Sequence, residues 1–302
     1  MRTVKQILSH TLFPATFLGA FAVALACIAR DVDADWVLGS ITLGVIIIVA
    51  TFERIIPEHL TWNESQADVR TDLTHGAISM VLLPPLLEMG LKLLLLDLAI
   101  WLSAQAGGSI WPHEWPLLLQ MVPAMLISQF AEYWGHRAMH EVPLLWRLHA
   151  THHSPGRLYW LNAARFHPLD TSLLFCLGLT PLFILGAGPE VMLLITVWIS
   201  VHGMFQHCNI RLRLGPLNYI FSMAELHRWH HSLRLEEANS NYGNNILFWD
   251  LVFGTVHYPK DREASKHIGL SNLPNFPKTY IAQIISPWQW SRYEKQNSDP
   301  AV

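Results

Sequence analysis

Long apolar segments separated by short polar stretches dominate the first two thirds of the chain. Apolar runs cover 11–29, 36–52 and 77–101, a fourth begins near 116 and loses its apolar character at Glu132, and a fifth region covers 171–203. A helix needs about 20 apolar residues to cross a membrane. The sequence Gly186-Ala187-Gly188-Pro189 would break the fifth region into a hairpin of two short helices. The pattern predicts an all-α integral-membrane bundle of about four long spans plus a broken hairpin.

The first apolar run has two interpretations. Arg2 and Lys5 precede it, and Ala24-Leu25-Ala26 resembles a cleavage site, so it could be a secretory signal. The run is longer than the apolar core of most signal peptides. We therefore expect an uncleaved span.

The composition agrees with a membrane protein. Apolar residues make up 51% of the chain and charged residues 14%, against roughly 25% charged in soluble domains. The net charge of −3 gives no electrostatic reason to expect nucleic acid as a partner. The third apolar run contains Glu88 and Lys92, which stand four residues apart and can pair on a helix. We expect this ion pair to face the interior of the bundle.

The distribution of basic residues predicts the orientation. If the apolar segments alternate across the membrane, all of the 20 Lys and Arg residues except Arg30 and Lys92 fall on one side. Basic loops remain in the cytoplasm. We therefore expect both termini and the polar loops on the cytoplasmic side, in the inner (plasma) membrane of a bacterium.

Three histidine motifs are the strongest chemical signal among the 17 histidines. The first motif is an HxxxH and the other two are HxxHH; their members are His136 and His140, then His149, His152 and His153, then His227, His230 and His231. Residues three and four apart share one face of a helix, so each motif can direct its imidazoles toward one point. The fourth apolar run places the first motif just beyond the cytoplasmic face. We predict a helical, histidine-rich metal cap there.

The number of histidines predicts two metal ions rather than one, since a zinc site takes at most four protein ligands. His202 and His207 are further ligand candidates, which would bring the set to ten; His202 could equally be a buried, hydrogen-bonded residue. Imidazole binds zinc, copper, iron and nickel alike. A structural or hydrolytic zinc site in a non-redox membrane protein therefore stays open as an alternative.

Three residues near the motifs are candidates to support the ligands or the chemistry. Glu132 and Glu141 flank the first motif, and either carboxylate could accept a hydrogen bond from a metal-bound imidazole or simply lie at the surface. His167 lies between the expected site and the membrane. It could support a ligand or start a helix.

Two stretches resemble a known family. Residues 132–170 read EYWGHRAMHEVPLLWRLHATHHSPGRLYWLNAARFHPLD, and 207–256 include HCNIRLRLGPLN, AELHRWHHS and NSNYGNNILFWDLVFGTV. Together they are similar to the fatty acid hydroxylase and sterol desaturase superfamily of membrane oxygenases. Such proteins often have proline where this chain has Ala224, a difference that affects a helix start and no ligand.

The resemblance implies a non-haem di-iron centre bound by the eight histidines of the motifs, with His207 included. O₂ would be the co-substrate, and a fatty acyl, sterol or ether lipid from the bilayer would be hydroxylated or desaturated. The chain has no haem-attachment CxxCH and no dinucleotide-binding fold, so a separate small electron carrier and its reductase would supply electrons. We expect transmembrane segments in 1–115, the catalytic domain in 116–258 with the hairpin 171–203, and a polar tail in 259–302.

Overall fold

The computed structural model describes residues 2–298 and contains no β-strand within them, which confirms the all-α prediction. The α-helices are α1 (Arg2–Ile28), α2 (Ala34–Ile55), α3 (Val69–Gly76), α4 (Leu83–Gln105), α5 (Leu117–Glu141), α6 (Pro143–His153), α7 (Pro168–Leu185), α8 (Pro189–His207), α9 (Ala224–His230), α10 (Leu235–Ala238), α11 (Phe248–Phe253), α12 (Tyr280–Ile285) and α13 (Trp290–Ser298). A π-helical turn, Ala77–Leu82, joins α3 to α4.

Four helical segments in this range are long and apolar enough to cross a membrane: Thr3–Ile28, Ala34–Ile55, Val69–Gln105 and Pro168–Leu185. The set differs from the prediction in two respects, the first being that Pro168–Leu185, expected to be a short half of the hairpin, is long and apolar enough to cross. Helix α5, expected to be a long span, is not in it because Gln120, Gln129 and Glu132 lower its mean hydropathy.

Helix α8 lies at the centre of the bundle and packs against α1, α2 and α5, while α7 packs against α4 and α5. The buried side of α2 consists of residues four apart, namely Val37, Ile41, Val45 and Val49. Spacing by four places these side chains on one face of the helix. This face belongs to the same apolar core as α8. The core thus positions α8, whose last residue is His207.

The hairpin bends where the sequence predicts. Helix α7 is followed by Gly186, whose φ of 79° is in the left-handed region that glycine adopts without strain. Pro189 then starts α8, at a position where its missing N–H costs nothing. The bend sends the chain back toward the histidine motifs.

The charged pair in α4 forms, but it does not face the bundle. Lys92 Nζ lies 2.7 Å from Glu88 Oε1, and the two side chains are 61% and 43% exposed. The prediction of an interior pair was wrong. The side of α4 that packs inward runs through Leu91 and Leu95, and Lys92 lies off this line.

The segment expected to be a polar tail packs against the cap. Leu273, Phe276, Trp290 and Tyr293 form a small second core with Ala150 of α6. Gln283 of α12 is fully buried and lies 2.8 Å from a ring nitrogen of His75 in α3. The segment thus holds α3 and α6 together at the back of the cap.

Candidate metal centre

Nine histidines lie in two adjacent groups. Group A contains His136, His140, His149, His153 and His230, and group B contains His152, His207, His227 and His231. Within each group, one ring nitrogen per residue lies within 4.8 Å of every other. Helices α5, α6, α8 and α9 each supply members, so the bundle and the cap position the groups jointly.

The two HxxHH motifs divide between the groups in opposite ways. In the second motif, His149 and His153 belong to group A while His152 belongs to group B. In the third motif, His227 and His231 belong to group B while His230 belongs to group A. Each pair four residues apart stays together because it shares a helix face, and the remaining histidine points to the neighbouring group.

Hydrogen bonds determine which nitrogens face the centre of group A. The Nδ1 atoms of His136 and His230 each lie 2.7 Å from a backbone carbonyl oxygen, those of Tyr242 and Ser240. A carbonyl only accepts, so each Nδ1 carries the hydrogen and each Nε2 has a lone pair in the neutral ring. These two Nε2 atoms are 3.1 Å apart. Two lone pairs at this distance repel each other unless a cation lies between them.

Group B has a similar arrangement. His207 Nδ1 lies 3.1 Å from the amide oxygen of Asn162, so its Nε2 also has a free lone pair. That Nε2 is 2.8 Å from Nε2 of His227, which in turn is 3.0 Å from Nε2 of His231. The Nε2 atoms of three histidines therefore converge in group B, and the Nε2 of His207 carries no hydrogen.

The protonation state suits metal binding. Burial lowers the pKa of His152, His227 and His231 well below the ordinary 6.5, and the neighbouring imidazoles lower it further. These rings are neutral at pH 7. Imidazole must be neutral to bind a metal, so no proton has to be displaced.

The spacing fits one ion in each group. Imidazole nitrogens lie about 2.0–2.1 Å from a bound zinc ion, so two ligands on opposite sides of an ion are about 4.2 Å apart. A maximum separation of 4.8 Å requires small inward movements only. An ion in each group would also accept the facing nitrogen lone pairs and so remove the repulsion between them. The nine residues therefore fit two metal ions.

The sequence comparisons agree with this geometry. The fatty acid hydroxylase family model matches residues 121–255, a range that contains all nine histidines. An ornithine lipid hydroxylase (OlsE) of Rhizobium tropici is 36% identical over 284 residues, covering 93% of this chain and 84% of the relative. The chain belongs to the fatty acid hydroxylase family.

Other members of the fatty acid hydroxylase family align over shorter ranges. Alkylglycerol monooxygenase of Homo sapiens is 30% identical over 200 residues, covering 65% of this chain and 42% of the relative. Methylsterol monooxygenase 2-2 of Arabidopsis thaliana is 28% identical over 144 residues, covering 45% of this chain and 52% of the relative. The chain thus spans about half the length of these two relatives. No solved structure matches the chain.

His202, the tenth predicted ligand, lies outside both histidine groups. Its ring is fully buried and packs edge-on against Phe13, with ring centroids 6.0 Å apart. It precedes His207 by five residues, which rotates it about 140° around α8. The face of α8 that carries His207 toward group B therefore carries His202 toward α1.

The three supporting candidates do not touch the histidine groups within residues 2–298. Glu132 accepts a hydrogen bond from Asn244 and lies against Gly178 of α7. Glu141 pairs with Arg137 at the surface. His167 caps the start of α7, where its Nδ1 accepts from the backbone N–H of Leu169.

Asp170 takes the supporting position that was expected for a glutamate. Its Oδ2 lies 2.8 Å from Nδ1 of His149, and both side chains are buried. A carboxylate in this position fixes the orientation of a metal-bound imidazole and raises its basicity. Spacing along α5 could not reveal Asp170, because it reaches His149 from the first turn of α7. The one feature of the sequence that could have indicated Asp170 is its position as an acidic residue in the first turn of a helix, three residues after His167.

The turn after the third motif supplies the carbonyl oxygens that hold group A. Asp250 accepts hydrogen bonds from the backbone N–H groups of Tyr242 and Gly243, both at 2.7 Å. A Cβ at position 243 would collide with the carbonyl oxygen of Ile246 and with Asp250, so the turn requires glycine. This arrangement directs the carbonyl of Tyr242 at His136.

Proposed function

We propose that this chain is a membrane-bound non-haem di-iron oxygenase that hydroxylates a lipid with O₂ and electrons from a separate carrier. The observation that carries the proposal is the pair of buried histidine groups with facing lone pairs, in a family whose relatives include lipid hydroxylases. Nine imidazoles and no carboxylate ligand suit a redox metal bound by nitrogen better than a hydrolytic zinc pair.

The proposed ligands are the nine histidines of groups A and B. Iron held there would supply the activation of O₂ and the removal of hydrogen from an unactivated C–H bond. The chain itself holds the imidazoles neutral and oriented: Asp170 and the carbonyls of Tyr242 and Ser240 fix Nδ1 in group A. Asn162 does the same for His207 in group B. The cap buries these rings and keeps bulk water away from the site, which limits competing reactions.

We propose a lipid with an amino-acid headgroup as the first substrate class to test. The ornithine lipid hydroxylase aligns over 93% of this chain, including the N-terminal helices. The alkylglycerol and methylsterol monooxygenases align over only part of it. The substrate would reach the site laterally from the bilayer, and the reaction would be hydroxylation rather than desaturation.

The contacts at the ends of the helices support the proposed orientation. The backbone N–H of Arg213, six residues after His207, donates to the carbonyl of Ser9 near the start of α1. The backbone N–H of Glu58, just after α2, donates to the carbonyl of Asn209. The start of α1, the end of α2 and group B therefore lie at one end of the bundle. With the basic residues at that end, the proposal places the N-terminus and the metal centre in the cytoplasm.

The test is turnover of purified, iron-reconstituted protein with an ornithine lipid, isotopically labelled O₂ and a ferredoxin-type electron source. We expect a lipid product that has gained one labelled oxygen atom, and about two irons per chain. The His152→Ala, His230→Ala double variant removes one ligand from each group and should lose both the metal and the product. His267→Ala, which changes an exposed histidine, is the matched control. Zinc binding without O₂ uptake after iron reconstitution would replace the proposal with a structural or hydrolytic site.

A further inference from the structure

The C-terminal segment carries a row of exposed apolar side chains, which we call the apolar stripe. Its members Ile281, Ile285 and Trp288 are 64%, 42% and 70% exposed. They lie on α12 and on the 3₁₀ turn Ser286–Gln289 that continues it. Spacings of four and three residues place side chains on one face of a helix. Single exposed apolar residues are ordinary on a protein surface, whereas a contiguous group of large ones marks a contact surface.

The other face of this segment is buried and fixed to the cap. Gln283 and Ser286 are fully buried. Gln283 lies 2.8 Å from a ring nitrogen of His75 in α3, and its amide group donates to Ser154, directly after the second histidine motif, at 3.3 Å. The segment cannot turn its apolar stripe inward without breaking these hydrogen bonds. The stripe therefore stays on the outside of the protein.

Two contacts of His167 determine where the segment lies relative to the membrane. Its Nε2 donates to the carbonyl of Ile284 at 3.1 Å, and its ring centroid is 5.9 Å from that of Trp288. His167 directly precedes α7, which has 18 residues and is apolar enough to cross a membrane. A helix of this length spans about 27 Å, and the hydrocarbon core is about 30 Å thick. Because crossing takes the whole of α7, its start and Trp288 lie at the membrane surface.

The charges around the stripe favour a lipid surface as its partner. Residues 264–293 contain no aspartate or glutamate. The exposed basic residues Lys278 and Arg292 precede and follow the stripe, and exposed Leu169 in the first turn of α7 continues the apolar surface toward the spans. Tryptophan is enriched at the boundary between membrane and water, and basic side chains there attract anionic lipid headgroups.

We infer that residues 280–289 lie in the plane of the membrane surface, with Ile281, Ile285 and Trp288 inserted among the lipids. Amphipathic helices bind membrane surfaces in this way, with the apolar face in the boundary between headgroups and acyl chains. The segment lies outside residues 121–255, which the family model matches. The inference rests on the membrane-spanning helices and does not depend on the proposed reaction.

This placement would give the segment a role in positioning the cap. The segment contacts Ser154 at the end of α6, and the small core that follows it packs Trp290 and Tyr293 with Ala150 of the same helix. Helix α6 carries the second histidine motif. A segment held in the membrane surface would therefore hold this motif at a fixed distance from the lipids.

The test measures whether lipid or water surrounds the stripe in the full-length, metal-loaded protein. Single cysteines carrying an environment-sensitive fluorophore replace the stripe residues in three variants: Ile281→Cys, Ile285→Cys and Trp288→Cys. Cys27→Ala and Cys176→Ala provide the background, and Cys208 stays because it is buried. Asp261→Cys, at an exposed position, is the matched control. The protein is placed in nanodiscs of phosphatidylcholine and phosphatidylglycerol, and quenching by a nitroxide-labelled phospholipid is compared with quenching by iodide.

We expect the lipid nitroxide to quench all three stripe probes and iodide to quench them several-fold less than the probe at position 261. That control probe should respond to iodide and hardly to the lipid nitroxide. Stripe probes that iodide quenches as strongly as the control would place the stripe in water and overturn the inference. Protection from both quenchers would overturn it as well, because a second protein surface would then cover the stripe. Neither result depends on turnover, so the test is separate from that of the proposed function.

Discussion

Replacing Asp170 by asparagine should weaken metal binding in group A by about tenfold. The new amide would keep an oxygen near the position of the carboxylate oxygen, 2.8 Å from Nδ1 of His149, but without the negative charge. Changes of such supporting residues typically cost tenfold to 100-fold in metal affinity. We expect the asparagine variant to lose about tenfold, the lower end of this range, because the hydrogen bond to His149 survives. Asp170→Ala, which removes the acceptor, belongs at the upper end, at about 2.7 kcal/mol.

The apo protein should fold with the asparagine at a modest loss of stability. Oδ1 of Asp170 has no hydrogen-bond partner among the described residues, so the amide breaks no further contact, but its buried NH₂ group finds no acceptor there and costs about 1–3 kcal/mol. The assay is competition between the protein and a chelator of known affinity, with metal content and thermal unfolding measured on the same samples. Asp261→Asn, at an exposed position, controls for the handling of variants. Group A affinity within twofold of wild type in both variants would refute the role assigned to this carboxylate.

Two further predictions concern His202 and Glu58. His202→Ala should keep two metal ions per chain, whereas His207→Ala should lose the ion of group B, because only His207 belongs to a histidine group. Metal content per chain is the measurement, and equal loss in both variants would contradict the geometry. The Glu58 side chain is buried among three arginines. Burial raises the pKa of its carboxyl, but the guanidinium groups of Arg228 and Arg213 outweigh burial and hold this pKa below 4.5. Glu58→Gln should therefore destabilise the protein by about 3 kcal/mol. The difference in unfolding temperature from wild type should be constant above pH 4.5 and shrink as the pH falls through the lowered pKa, where the wild-type carboxylate becomes protonated.

The helical bundle could be predicted because apolar length is a local property of the chain. The same holds for the three histidine motifs, since spacings of three and four residues determine which imidazoles share a helix face. In contrast, the local sequence does not determine whether an ion pair on a helix faces the bundle or its surroundings. Glu88 and Lys92 pair as their spacing predicts, but the packing of α4 against α7 decides which side they face.

The supporting residues could not be predicted because they come from other parts of the chain. Asp170 reaches His149 from α7, and Tyr242 reaches His136 from a turn more than 100 residues away. Glu132 shares the helix of His136 and was the natural candidate from spacing alone. Its side chain instead turns toward Gly178, where the absence of a Cβ leaves room for it between α5 and α7.

The division of the two HxxHH motifs between the groups predicts that the ions bind cooperatively. His152 and His153 are neighbours on α6 but belong to different groups, as do His230 at the end of α9 and His231 directly after it. An ion in group A would fix both short helices and so position three ligands of group B. Coupling of about 1–3 kcal/mol between sites corresponds to a 5-fold to 150-fold increase in affinity for the second ion. A titration of apo protein should therefore be sigmoidal, and His153→Ala should weaken binding in group B although it is not a member. Two independent hyperbolic phases, with group B unaffected by that variant, would show that the helices are already fixed without metal.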